Sequence, residues 1–155
     1  SIIYKILLFI ILSTFLIFLE RFIRLTPYQY DFSNYSNIDF ENTTGLYQHD
    51  YWATSYKELV KKIKNDEKFD NKKFSISVCG GNLFQIAYEF NKDRNFQKNI
   101  SYYHKFVAHK ADYIIMINRL GSEKFKNEKC FDRFEGVDIH SVERLGVIYS
   151  VFRKI

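Results

Sequence analysis

Proline occurs once and cysteine twice in these 155 residues, and each scarcity closes off a class of protein. A single proline excludes a proline-rich linker or stalk. Two cysteines cannot supply a four-cysteine zinc site or a small scaffold held together by bridges. The four histidines, His49, His104, His109 and His140, have no i, i+4 pair and no H-x-E or C-x-x-C companion, so no metal-ligand pattern is present. Glycine is also sparse, and the one Gly-Gly pair lacks both the third glycine of a dinucleotide fingerprint and the Lys-Ser/Thr of a P-loop. No Ser/His/Asp or Cys/His arrangement has local support, and no two carboxylates are fixed by spacing. The sequence therefore assigns neither a catalytic residue nor a cofactor to this chain.

What is present is apolar enough to fold. Hydrophobic residues make up 46% and charged residues 26%, which excludes a disordered tail. Beyond the first two dozen residues about 130 remain, room for one ordinary domain. The aromatic share is 19%, almost all Phe and Tyr, beside abundant Lys, Asn and Ile. That bias is the signature of an AT-rich coding sequence, so aromatic and lysine counts carry no functional weight here. A net charge of +5 without any groove-reading motif does not indicate a nucleic-acid partner.

Residues 6 to 19, ILLFIILSTFLIFL, carry no charge, and Ile2, Ile3 and Tyr4 extend the run past Lys5. Eighteen helical residues rise about 27 Å, close to the roughly 30 Å hydrocarbon core of a bilayer. Glu20, Arg21 and Arg24 then mark a water interface, with Phe22 between them. A signal peptide is the competing reading, but the run ends in Phe18-Leu19-Glu20-Arg21-Phe22, without the small residues of a cleavage site. Residues 1–24 are thus expected to be a transmembrane helix. Because the chain opens on Ser1, the expectation is that this is the last span of a longer protein. Arg21 and Arg24 against Lys5 place the following part in the cytoplasm by a local reading of the positive-inside rule.

Residues 25–54 show no useful periodicity and are expected to form an irregular, aromatic-rich connector. Pro27 stops the helix because it lacks an amide donor and biases Thr26 away from helical angles. Residues 55–155 are expected to form a small α/β domain. Ser55-Tyr56-Lys57-Glu58 has capping-box spacing, followed by Tyr56, Leu59, Val60 and Ile63 on one helical face. Phe74 to Val78 alternates as a strand, residues 79–82 form a turn, and Leu83 to Phe90 a short helix. Residues 93–99 read as a loop, Ile100 to Phe106 and residues 111–117 as strands, and 119–130 as a loop. Val137 to Val142 and Val147 to Phe152 read as a closing hairpin around residues 143–146. The expected fold class is α/β: an N-terminal transmembrane helix, then a mixed α/β sandwich with a parallel crossover that ends in a β-hairpin.

Two local features are candidates for chemistry. Gly80-Gly81-Asn82 joins a strand to a helix and could offer backbone amides to a phosphate, although a tight turn accounts equally for both glycines. Cys79 and Cys130 could form a disulfide outside the cytoplasm or remain two unrelated thiols. Asn34, Asn42 and Asn99 match the glycosylation acceptor pattern, as chance predicts in a chain so rich in asparagine. Asp50, just ahead of a helix, is the acidic residue best placed to be held rigidly, bonding free amides at that helix start.

Several segments together resemble one family. They are Thr26-Pro27-Tyr28-Gln29-Tyr30 with Asn34 behind it, Asp50-Tyr51-Trp52, Ser55-Tyr56-Lys57-Glu58, Ala111-Asp112-Tyr113-Ile114, and the ending Gly146-Val147-Ile148-Tyr149-Ser150-Val151. In this order the chain resembles the C-terminal end of bacterial polytopic glycosyltransferases related to protein O-mannosyltransferases and the lipid A aminoarabinose transferase. In that group a last membrane helix runs into a Pro-Tyr-x-Tyr segment, an Asp-Tyr-Trp segment and a small α/β domain. Two positions depart from the pattern: Thr26 precedes the proline where His or Asn is expected, and Ala53 follows Trp52 where glycine is usual. The resemblance implies transfer of a sugar from a polyprenyl-phosphate donor, with inversion, on the extracytoplasmic side. It implies that the catalytic acids lie in an upstream loop, so no catalytic residue is carried over, and Pro27, Tyr28, Tyr30, Asp50, Tyr51, Trp52, Ser55 and Glu58 are structural motif positions. The implied partners are the bilayer, the remaining membrane part of the same enzyme and a polyprenyl-phosphate sugar. The family puts the soluble part in the periplasm, and this outweighs a charge count taken over one helix of many. The alternative is a single-pass anchored binding or scaffold domain without activity.

Overall fold

The computed structural model describes residues 2–28, 50, 53–103, 110–118 and 130–155. The chain divides into two compact units, Ser1–Ile38 and Asp39–Ile155. In the first, helix α1 (Ile2–Arg24) is long and apolar enough to cross a membrane. At 1.5 Å per residue its length is about 34 Å, and no residue of it is buried. A helix apolar all round with nothing covering it suits a lipid solvent, not a soluble core. Arg24 Nε lies 2.5 Å from Glu20 Oε1, which closes the last turn with an ion pair. Thr26 and Pro27 are exposed, whereas Leu25 and Tyr28 are each 1% exposed.

The second unit is a mixed α/β sheet with helices. Its elements are α2 (Ser55–Lys64), a 3-10 turn (Glu67–Phe69), β1 (Phe74–Cys79), α3 (Leu83–Asn91), α4 (Arg94–Asn99), β2 (Ile100–Tyr103), β3 (Tyr113–Ile117), α5 (Cys130–Arg133), β4 (Val137–Arg144) and β5 (Val147–Lys154). The strand order is β2-β1-β3-β5-β4. β1 is parallel to both β2 and β3, while β5 is antiparallel to β3 and β4. β1–α3–α4–β2 is the parallel crossover, and the β4–β5 hairpin turns on Leu145 and Gly146. Both turn residues have positive φ, 51° and 79°, as a two-residue turn of the right twist requires.

Burial explains the register. Successive strand residues face opposite sides, so Tyr113, Ile115 and Ile117 serve one face of the sheet and Ile114 and Met116 the other. On the first face Phe69, Phe74, Tyr113 and Phe152 form an aromatic cluster, with the Tyr113 and Phe152 rings stacked 4.7 Å apart. On the second, Ile114, Met116 and Val151 pack against Cys130 of α5. α2 buries Tyr56, Leu59, Val60 and Ile63, the face its spacing defines.

Two expectations need correction, and a third is described only in part. Residues 94–99 form α4, not a loop: Asp93 caps it by accepting from the Asn95 amide at 3.0 Å, and Phe96 is buried 5.9 Å from the Phe90 ring. The Ser55/Glu58 capping box does not form, because the helix N-cap is Thr54 and the Ser55 amide that Glu58 would accept from is bonded to Asp50. The expected strand from Ile100 is described only to Tyr103. Residues 104–109 and 119–129, and Tyr30, Tyr51, Trp52, Asn34, Asn42, His49, His104 and His109 with them, lie outside the described residues.

Candidate functional site

The sheet has one topological switch point. β1 and β3 are paired to their C-terminal ends, but the chain leaves β1 toward β2 on one side and leaves β3 toward β4 on the other. In open α/β sheets this is where ligands bind. Gly80, Gly81 and Asn82 follow β1 at this edge, and Asn118 follows β3.

The glycines are explained by packing. A Cβ on Gly80 would stand 2.6 Å from the Ile117 carbonyl oxygen and 3.3 Å from Cys130 Sγ; one on Gly81 would stand 2.5 Å from Ile117 Cδ1. Gly80 also has φ of 80°. The turn is pressed onto the end of β3, so only glycine fits at position 80, whereas at 81 the nearest atom is the movable end of the Ile117 side chain. Asn82 is the N-cap of α3, its side chain accepting from the Phe84 amide at 2.9 Å. A disulfide between Cys79 and Cys130 closes the same edge, with Cα atoms 5.7 Å apart. Of the two alternatives the sequence leaves open, the structure has the bridge.

The chain enters this edge through Asp50. Its amide donates to the Asn118 carbonyl at 3.2 Å, and its side chain is fully buried. Asp50 Oδ1 accepts from the Thr54 amide at 2.8 Å, and Oδ2 accepts from the Ser55 amide at 3.1 Å. The Thr54 and Ser55 hydroxyls donate to the same carboxylate. A carboxylate at the start of α2 thus satisfies helix amides that have no intrahelical partner, and meets the positive end of the helix dipole. Glu58 is left available for other partners: its Oε2 accepts from Arg144 Nη2 at 2.8 Å and its Oε1 lies 3.7 Å from Lys62 Nζ, which ties α2 to the hairpin. Asn118 completes the joint by donating from Nδ2 to the Ile148 carbonyl at 2.7 Å and from its amide to Tyr149. Nothing in the sequence marked Asn118.

Ala53 sits inside this joint, 5% exposed and with φ of 53°. That is the left-handed region, costly for a residue with a Cβ. It is also the position where the resembling family carries glycine. Ala53→Gly is expected to stabilise the domain by up to about 1 kcal/mol, read as a raised melting temperature. An unchanged or lower melting temperature would show that the methyl group's packing outweighs the strain.

At the opposite edge Asp112 clamps β3 to β1. Its carboxylate accepts from the Ser75 amide at 2.8 Å and hydroxyl at 2.7 Å, while its own amide donates to Ser75 Oγ at 2.9 Å. The Ser75 hydroxyl, first among the causes, holds the Asp112 carboxyl below its ordinary value of 3.8. A pKa lowered by folding gives stability that is fully present above the unfolded value and lost as pH falls through the folded one. Asp112→Asn should therefore flatten the loss of stability below about pH 4, measured by denaturant midpoints across pH. An acid limb as steep as the parent's would remove Asp112 from this role.

Other polar side chains pair within the domain, whereas the buried Ser77 and Ser150 hydroxyls have no hydrogen-bond partner among the described residues. His140 Nε2 lies 2.9 Å from Asp66 Oδ2. Arg153 Nε donates to Asp138 Oδ1 at 2.5 Å, and Nη1 to the Phe131 carbonyl at 3.0 Å and to that of Phe134, which pins the α5 segment to the hairpin. Among the described residues no group of three or more His, Cys, Asp or Glu side chains could hold a metal. The switch-point edge is a joint: its polar atoms bind the connector, the helix starts and the strand ends to one another.

Comparison with protein-family models, curated proteins and solved structures finds no match to this chain.

Proposed function

We propose that the chain is the C-terminal membrane helix and accessory domain of an integral-membrane glycosyltransferase that takes its sugar from a polyprenyl-phosphate donor. The soluble part lies outside the cytoplasm, and the catalytic carboxylates belong to another part of the protein. The observation that carries this reading is Asp50. It is the acidic residue of the Asp-Tyr-Trp segment, nearest in the described domain to the connector, and its carboxylate is fully buried and bonded to Thr54 and Ser55. A general base must reach a substrate proton. A carboxylate used in this way fastens a connector to a domain. The Cys79–Cys130 bridge supports an oxidising compartment, since such bonds are rare in the cytosol. The apolar α1 supports the membrane anchor.

A transfer assay tests this. The complete protein, purified in detergent with a radiolabelled polyprenyl-phosphate hexose, is expected to move the sugar to an acceptor in a membrane extract, whereas this chain alone is not. Transfer by neither would favour the anchored scaffold. Transfer by this chain alone would put the active site within it.

A further inference from the structure

Outside α1, four large apolar side chains among the described residues are exposed: Phe84 at 83%, Tyr88 at 64%, Val137 at 65% and Ile155 at 37%. Phe84 and Tyr88 stand one turn apart on α3, so they share a face, while Ile86 and Phe90 of the same helix are buried. Lys92, the C-cap residue, follows one turn later, with Nζ 4.8 Å from the centre of the Tyr88 ring and 2.7 Å from Glu89 Oε2, so its charge is already paired. Two exposed rings one turn apart make an apolar spot that is costly to leave in water unless something covers it.

We infer that this face of α3 rests in the headgroup layer of the bilayer that α1 enters. The inference depends on α1 spanning that bilayer and not on the glycosyltransferase reading. Three observations select a lipid surface as the occupant. The first is chemical: exposed aromatic rings, one of them a tyrosine with a polar tip, are what membrane interfaces favour at headgroup level. The second is charge. Residues 55–99, which hold α2, α3 and α4, carry ten Lys or Arg against six Asp or Glu, an excess that suits anionic lipid. The third is attachment. Asp50 is bound to the sheet at Asn118, beyond the C-terminal end of β3, and α3 begins just past the paired C-terminal end of β1, so Asp50 and the first turn of α3 lie at the same end of the sheet.

Brominated lipids test the contact. The full chain with Trp52→Phe is placed in phosphatidylethanolamine vesicles containing about a third phosphatidylglycerol, with tryptophan introduced singly as Phe84→Trp, Tyr88→Trp or Val137→Trp. Bromine on the upper acyl chain should cut the fluorescence of Phe84→Trp and Tyr88→Trp about twofold, and that of Val137→Trp far less. Equal quenching of all three, or of none, would overturn the inference. So would shielding of Phe84→Trp from aqueous acrylamide without quenching by bromine, the signature of a protein partner. If Trp52→Phe unfolds the chain, the same comparison is read with Trp52 retained, as the difference from the parent. Flotation of the vesicles separates the two claims. A chain that does not float contradicts the span, and one that floats with Phe84→Trp unquenched contradicts only the docking of α3.

Discussion

Cys79→Ala with Cys130→Ala should cost the domain about 4 kcal/mol and lower its melting temperature by about 10–20 °C. The bridge joins positions 51 residues apart, and closing a loop of that length removes much of the unfolded chain's freedom. The native side of the balance points the same way. Cys130 is 6% exposed and packs with Ile114, Met116 and Val151, so its loss loosens one face of the sheet as well. Arg153 still holds the Phe131 and Phe134 carbonyls, so the variant is expected to fold, less stably. Reductant alone, which leaves both side chains in place, should give most of this shift in the parent protein and none in the double variant. A parent whose melting temperature ignores reductant would show that the bridge contributes nothing.

Asp50→Ala is expected to cost about 3 kcal/mol, since the buried Ser55 donors and the Thr54 amide lose a charged acceptor together. α2 carries Leu59, Val60 and Ile63 into the core, so an unfastened helix start is felt by the whole unit. Asp50→Asn keeps one acceptor oxygen and sets an amide nitrogen against the Ser55 amide, for an intermediate cost of about 2 kcal/mol. Chemical denaturation of the two variants should rank them in that order. In the complete protein, on the glycosyltransferase reading proposed above, Asp50→Asn should leave turnover per folded molecule nearly intact. A hundredfold loss of turnover with unchanged stability would place Asp50 in the reaction instead.

The parts of the fold that the sequence displayed are those with a period. Tyr56, Leu59, Val60 and Ile63 repeat as a helix face, and all four are buried. β3 was visible as an apolar run because it is a central strand, covered on both sides. β1 alternates Phe, Ser, Ile, Ser, Val, a pattern that reads as half exposed, yet Ser75 and Ser77 are buried too. Small polar residues conceal a covered face from pattern reading. α4 escaped notice because six residues with one buried ring, Phe96, cannot show a period. The joint at the switch point was legible in its components and not in its wiring. Capping-box spacing pointed to Glu58, but a carboxylate five residues ahead of Ser55 reached the same amide. Asn118 and Arg153 bond mainly to carbonyls distant in sequence, and no local motif encodes such contacts.

The central claim is an anchored domain that works outside the cytoplasm, and trapping its thiols in cells tests this most directly. The chain has two cysteines, so the result is unambiguous. A bacterial host expressing the full chain is quenched with acid, and the denatured protein is treated with a maleimide-linked polyethylene glycol that slows each free thiol on a gel. The account predicts no retardation before reduction and retardation by two labels after it. A host lacking its periplasmic thiol oxidase should show the two labels without reduction. Two free thiols in the normal host would contradict the account, because they would place the domain in the reducing cytoplasm.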